Sequence, residues 1–187
     1  MMSDAEVITI LICFHFNTYR NFKHYYLSCV CGQWRHLFPS RFSYSRFVEV
    51  MPRCFVALTM FLRLACFGKC TGISFVDSTC IPVMHNKREF NMKVFKGIAA
   101  KGRSTMRWYV GFKLHLLCNE KGELVSFVLT RANVDDREES VMDTLTDRVF
   151  GKLHADRGYI SQSLFGHLWD NGVHIVTELR SNMKQRH

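Results

Sequence analysis

Two kinds of hydrophobic pattern divide the chain near Gly68–Gly72. Before that point apolar and aromatic residues crowd helical stretches; after it they fall into short runs and alternations. Ser3-Asp4-Ala5-Glu6 has the spacing of a capping box and predicts a helix running to about Asn17. Apolar residues cover most of that helix's circumference, so other helices must bury it. An aromatic helix over Phe22–Trp34 follows, Pro39 closes the next turn, and helices near Tyr44–Val50 and Pro52–Phe67 complete an all-α region spanning 1–70. Pro52 suits a first helical turn, where its missing amide costs little.

In 71–187 the pattern predicts strands at Ile73–Val76, Met106–Cys118 and Glu123–Thr130, the last two joined as a hairpin through Asn119-Glu120-Lys121-Gly122. A helix over Asp136–Phe150, a strand at Lys152–Ala155, a helix over Ser161–Asn171 and a strand at Val173–Leu179 come next, with Gly172 as the left-handed helix stop. The fold class is therefore α/β, in the order strand, strand, strand, helix, strand, helix, strand, behind a small helical region.

Composition narrows the partner. A 48% hydrophobic share fits a folded globular chain, and the net charge of +9 suits a polyanion. The spacings Cys29-x-Cys31 and Cys66-x-x-x-Cys70 do not match common zinc sites, and Cys13, Cys54, Cys66 and Cys118 sit among apolar neighbours. Free thiols in a reducing cytoplasm are expected. The apolar stretch Val7–Phe16 follows acids rather than the basic residues of a secretory signal, and Phe55–Leu62 is far shorter than the roughly twenty residues of a membrane span, so no membrane segment is expected.

Asp77 and Asp156 each end a short apolar run. Ligands of open α/β sheets bind outside the carboxyl ends of strands, and two carboxylates there make an oxygen-rich site suited to Mg²⁺ or Mn²⁺. Structural alternatives stand beside this: Asp77 as a turn residue, Asp156 as a local ion pair. The pair Asp135-Asp136 precedes a predicted helix and fits capping of its positive end better than metal ligation. His115 reads as a packed core histidine. Lys93, Lys96, Lys101, Arg103 and Arg107 form the densest basic segment, interleaved with Gly97, Gly102, Phe95 and Trp108. It is either a solvated loop or a holder of DNA backbone. Lys113 and Arg157 complete the candidate DNA-binding set.

The words Phe75-Val76-Asp77-Ser78-Thr79, His85-Asn86, Val94-Phe95-Lys96-Gly97-Ile98-Ala99, Gly111-Phe112-Lys113-Leu114-His115-Leu116, Asn133-Val134-Asp135-Asp136-Arg137 and Asp156-Arg157-Gly158-Tyr159-Ile160 carry a family resemblance. So do Phe14-His15-Phe16, Arg20-Asn21-Phe22-Lys23, Phe38-Pro39 and Ser43-Tyr44-Ser45-Arg46-Phe47-Val48-Glu49 upstream. In order and spacing they resemble bacterial insertion-sequence transposases of the DDE class, in the group of insertion sequence 982. That resemblance implies a ribonuclease-H-like mixed sheet in which the first and fourth strands are neighbours. It also implies two divalent ions held by Asp77 and Asp156, DNA ends and target DNA as partners, and a homo-oligomer when intact. The family's third acid is a glutamate on a helix after the last core strand; its place here is beyond His187, and Glu178 does not match it. A truncated copy, inactive alone, is the expectation; the alternatives are a remnant that only binds DNA, or a repair or junction nuclease of the same fold.

Overall fold

The computed structural model describes residues 2–91, 93–104 and 106–177. The chain divides into two compact units, Met1–Ala65 and Cys66–His187.

The first unit is helical. Helix α1 (Asp4–Phe16) opens on the capping box: Glu6 N–H donates to Ser3 Oγ at 3.3 Å, and Ser3 N–H donates to the Glu6 carboxylate at 2.7 Å. Helix α2 (Phe22–Tyr25) continues without a break into wider π-type turns over Tyr26–Gln33. Helices α3 (Tyr44–Val50) and α4 (Phe55–Phe61) follow, with Pro52 in the tight turn between them. The core is aromatic. Tyr25 and Tyr26 are fully buried, and each hydroxyl is satisfied by donating to a backbone carbonyl, of Ile10 at 3.2 Å and of Phe42 at 2.7 Å. Burial pushes the Tyr26 hydroxyl up to about 12, so it remains a donor.

The second unit is a mixed sheet with helices. Its strands are β1 (Ile73–Met84), β2 (Ala100–Arg103), β3 (Trp108–Asn119), β4 (Leu124–Arg131), β5 (Gly151–Ala155) and β6 (Val173–Thr177). Helix α5 (Glu139–Thr146) precedes β5, and α6 (Gln162–Asp170) precedes β6. The sheet runs β2-β3-β1-β5-β6, and β4 also pairs with β3. Strand β3 is antiparallel to β1 on one edge; its other edge is shared by β2, against Trp108–Gly111, and β4, against residues 112–118. The β1–β5 and β5–β6 pairs are parallel. Two-residue alternation along β1 buries Ser74 and Val76 and leaves Ile73, Phe75 and Asp77 exposed. Val76, Leu117, Leu153 and Val173 face Val141, Met142 and Leu145 of α5 and Leu164 and Leu168 of α6.

Three departures from the sequence reading matter for the site. Strand β1 does not stop at Val76 but runs to Met84, so Asp77 lies in its interior rather than at its carboxyl end. The cause is β3, whose twelve residues offer hydrogen-bond partners along nearly all of β1, from Asn119 opposite Ser74 to Val110 opposite Met84. Part of the expected basic loop is strand β2. Helix α5 begins at Glu139, later than Asp136.

Glycine sets the strand starts. Gly72, Gly151 and Gly172 have φ of 94°, 83° and 76° and immediately precede or open β1, β5 and β6. A Cβ on Gly151 would collide with the Gly72 carbonyl, which accepts from Lys152 N–H at 2.8 Å. A Cβ on Gly111 in β3 would likewise overlap the Ile81 carbonyl of β1. Gly111→Ala should therefore destabilise the unit by about 1–3 kcal/mol, the usual range for overpacking. Urea unfolding should report a lower midpoint at an unchanged slope; an unchanged midpoint would show that the two strands separate more easily than this contact implies.

Candidate active site

Asp77 and Asp156 come together through strand register. Strands β1 and β5 pair in parallel from Ile73 opposite Lys152 to Val76 opposite Ala155, and the next step along each strand is Asp77 and Asp156. Neighbouring strands lie about 4.8 Å apart. Phe75 and His154, two residues earlier, stack with ring centroids 5.1 Å apart, so those side chains share a face. Asp156 remains extended, with φ −71° and ψ 170°, and carries the alternation on from His154 to the same face as Asp77. Both acids are exposed.

Each carboxylate is oriented by its own backbone. Asp77 Oδ1 accepts from Ser78 N–H at 2.7 Å, and Asp156 Oδ1 accepts from Gly158 N–H as the N-cap of a single turn over Arg157–Tyr159. Capping this turn is thus one local role of Asp156. Among the described residues no group of three His, Cys, Asp or Glu side chains is spaced to hold a metal ion. Glu178 lies outside the described residues. Two hard carboxylates still suit Mg²⁺, which keeps several waters and commonly takes only one or two protein carboxylates plus substrate phosphate.

On the opposite face of β1 lies a buried polar cluster that the sequence reading did not anticipate. His115, fully buried on β3 opposite Ser78, has Nε2 3.0 Å from Thr130 Oγ1, which donates to the Lys113 carbonyl at 3.4 Å. With the hydroxyl hydrogen used there, Nε2 is assigned as the N–H and Nδ1 as the bare acceptor. Burial holds the imidazole below its ordinary pKa, against a smaller upward pull from Asp136. Asp136 Oδ1 lies 3.7 Å from His115 Nδ1 and 3.1 Å from Lys113 Nζ. Asp136 therefore does not cap α5, whose first turn has Glu138 at the cap position without a side-chain bond. The physical reason is the late helix start, which leaves Asp136 in a turn against β3.

Lys113 is correspondingly committed inward: its ammonium also donates to the Val134 carbonyl at 2.7 Å. The other basic candidates differ. Lys93, Lys96, Lys101, Arg103, Arg107 and Arg157 are exposed. Lys101 and Arg103 on β2 lie 5.8 Å from the Trp108 ring centroid, and Phe95 packs edge-on against Phe112 at 5.6 Å. The basic segment is thus docked on the sheet. It does not adjoin the acids: β2 sits level with Pro82, five residues from Asp77. That is roughly 17 Å along the strand at about 3.3 Å per residue. A cleft of about 600 Å³ at that far end is lined by Pro82–Lys87 and Arg107–Tyr109.

With this geometry in place, comparison with known proteins identifies the class. A profile described as transposase DDE domain matches residues 67–187, and the chain belongs to that family. No curated protein matches the chain. Among solved structures, a piggyBac transposase synaptic complex with hairpin DNA is similar at 14% identity and TM-score 0.41, covering 62% of this chain and 24% of that one. A Mos1 transposase paired-end complex with left transposon end is similar at 12% identity and TM-score 0.34, covering 93% of this chain and 58% of that one. The chain thus spans less than two thirds of either protein.

Asp135 offers a pH test of the turn that carries Asp136. Its carboxylate accepts from Arg137 Nε and Nη2, each at 2.8 Å, and from Arg137 N–H at 2.9 Å. The Arg137 guanidinium pulls its pKa down to about 2. A depressed carboxyl pKa contributes stability that is present above about pH 4 and fades as pH falls through about 2. In Arg137→Ala, a carbon-detected NMR titration should find the Asp135 carboxyl back near its ordinary value. A midpoint still near 2 would assign the depression to the backbone instead.

Proposed function

We propose that this chain is the DNA-cleaving and strand-joining polypeptide of a bacterial insertion sequence, of the insertion sequence 982 group. The observation that carries the reading is the side-by-side placement of Asp77 and Asp156 on one face of β1 and β5, within a chain of the DDE family. The mixed sheet, with an antiparallel block joined to parallel strands through helices, supports a ribonuclease-H-like core. Asp77 and Asp156 are the proposed catalytic carboxylates and metal ligands.

Divalent ions held there would supply Lewis-acid activation of the attacking oxygen and charge relief at the leaving oxygen. The chain's own contribution is to hold both carboxylates at fixed spacing and present them to solvent. The exposed cations Lys93, Lys96, Lys101, Arg103, Arg107 and Arg157 are proposed to hold DNA backbone, with Lys113 set apart by its internal pair. Strand β2 is offset from the acids by about 17 Å along the strands and lies two strands across from β1, so the two regions would touch different phosphates of one DNA segment. All eight cysteines are free, in keeping with a reducing cytoplasm. No helix among the described residues is long and apolar enough to cross a membrane.

Two measurements test this reading. Mn²⁺ at about ten times its dissociation constant should stabilise the chain by roughly 1.4 kcal/mol, and Asp77→Ala should abolish the gain. Equal stabilisation of the variant would place the metal elsewhere. For DNA, Lys96→Ala with Arg103→Ala should reduce the slope of log affinity against log salt by about two if both contact phosphate. An unchanged slope would return the segment to a solvated role.

A further inference from the structure

The far end of β1 breaks the regular pairing with β3. Pro82 pairs with Gly111 and Met84 with Val110, so Val83 is an extra residue that no partner matches. A bulge of this kind bends its strand and re-aims the side chains around it. It borders the cleft of about 600 Å³ lined by Pro82–Lys87 and Arg107–Tyr109. Sites for small molecules usually measure about 300–1,000 Å³, so the hollow has room for one nucleotide-sized group.

The lining combines three chemistries. Val83 and Met84 are apolar and half-buried, Lys87 and Arg107 are exposed cations, and Trp108 keeps 51% of its surface exposed. Trp108 also lines a smaller hollow with β2, where Lys101 and Arg103 come within 5.8 Å of its ring centroid. Both edges of the larger cleft are held by local hydrogen bonds. Lys87 N–H donates to His85 Nδ1 at 3.3 Å. Arg107 N–H donates to Ser104 Oγ at 3.0 Å, and Ser104 N–H donates to the Arg107 carbonyl at 2.9 Å. The cleft is therefore formed in advance of any ligand, as binding sites usually are.

Resting on the reading of this chain as DNA-binding, we infer that the cleft takes one unpaired nucleotide of a DNA strand. Its base stacks on Trp108, and Lys87 and Arg107 hold its phosphates. Inside a duplex each base is already stacked and paired, so an aromatic side chain serves only a base that has left the helix. Stacking of this kind is indifferent to sequence, because every base has a π-face. The basic surroundings favour DNA over an apolar peptide: two cations line the cleft and two more flank the same indole. Pro82 stands about 17 Å along β1 from Asp77, so the nucleotide held here is not the one that reacts.

The experiment compares the full chain with Trp108→Ala and Trp108→Phe. Affinity is measured for a single-stranded oligonucleotide containing 2-aminopurine and for the same strand in a duplex, and stability by urea midpoint. Trp108→Ala should weaken single-strand binding about tenfold, within the range found when an aromatic side chain beneath a base is cut to alanine. Duplex affinity should stay unchanged, and Trp108→Phe should keep most of the single-strand affinity. Quenching of 2-aminopurine by the wild-type chain should disappear in Trp108→Ala. Lys87→Ala should lower the single-strand slope of log affinity against log salt by about 0.7. Equal losses on single strand and duplex would make Trp108 part of a general backbone surface and overturn the inference. Unchanged single-strand affinity in Trp108→Ala overturns it too, and is the result a peptide-binding cleft would give. So does a loss that follows a lowered urea midpoint and is not restored by Trp108→Phe. A wild-type chain that binds neither form of DNA sinks the DNA reading itself, and the cleft assignment with it.

Discussion

The parallel pairing of β1 with β5 is the constraint on which the site depends. Parallel strands cannot be joined by a tight turn, so everything from β2 to α5 is crossover that returns the chain beside β1. Once it returns, the backbone hydrogen bonds admit only registers that keep Leu153 and Val76 in the core. The acids follow from that choice. No side chain has to reach for another: each lies one step past the last paired residues, on a strand already fixed by the burial of its neighbours. The parallel pair also explains how two residues far apart in sequence become neighbours without any direct bond between them.

Strand β1 separates two environments of opposite character. One face carries Asp77, exposed to water. Beneath it, Ser78 and Cys80 face a part-buried region in which Lys113 and Asp136 meet, their side chains 12% and 28% exposed. A pair held that far from water gives little net stability, but removing one partner strands the other at a cost of about 3–5 kcal/mol when burial is complete. Such a pair specifies geometry more than it adds strength. Its location, between strand β3 and the turn that leads into α5, suits that role.

Much of the architecture was legible in the pattern of apolar residues. The capping box at Ser3, the hairpin around Asn119–Gly122 and the left-handed stop at Gly172 are local signals, and local physics decides them. What the sequence hid was decided by partners. Periodicity ended β1 at Asp77 because a charged residue breaks an apolar run; only the length of β3 shows that the strand continues. Strand β2 is basic and glycine-containing, and it forms because the edge of β3 beyond β4 is free to pair. Asp136 looked like a cap because it precedes a helix, yet two residues separate it from that helix. A signal was present all the same: Lys113 lies on the same face of β3 as the buried His115, and a cation held that far from water requires an anion nearby.

The glycines that open the paired strands have a consequence for how the chain can change. Asp77 stands five residues after Gly72, and Asp156 stands five residues after Gly151. The two glycines touch, so the segments act as rulers of equal length laid from a common origin. Loops elsewhere in the unit can lengthen at small entropic cost, since doubling a loop costs only about 0.6 kcal/mol. One residue added within either ruler is different: it would turn that strand's carboxylate toward the core and bring a neighbouring side chain out in its place. Natural variation in length should therefore be absorbed everywhere in this unit except across these two short stretches.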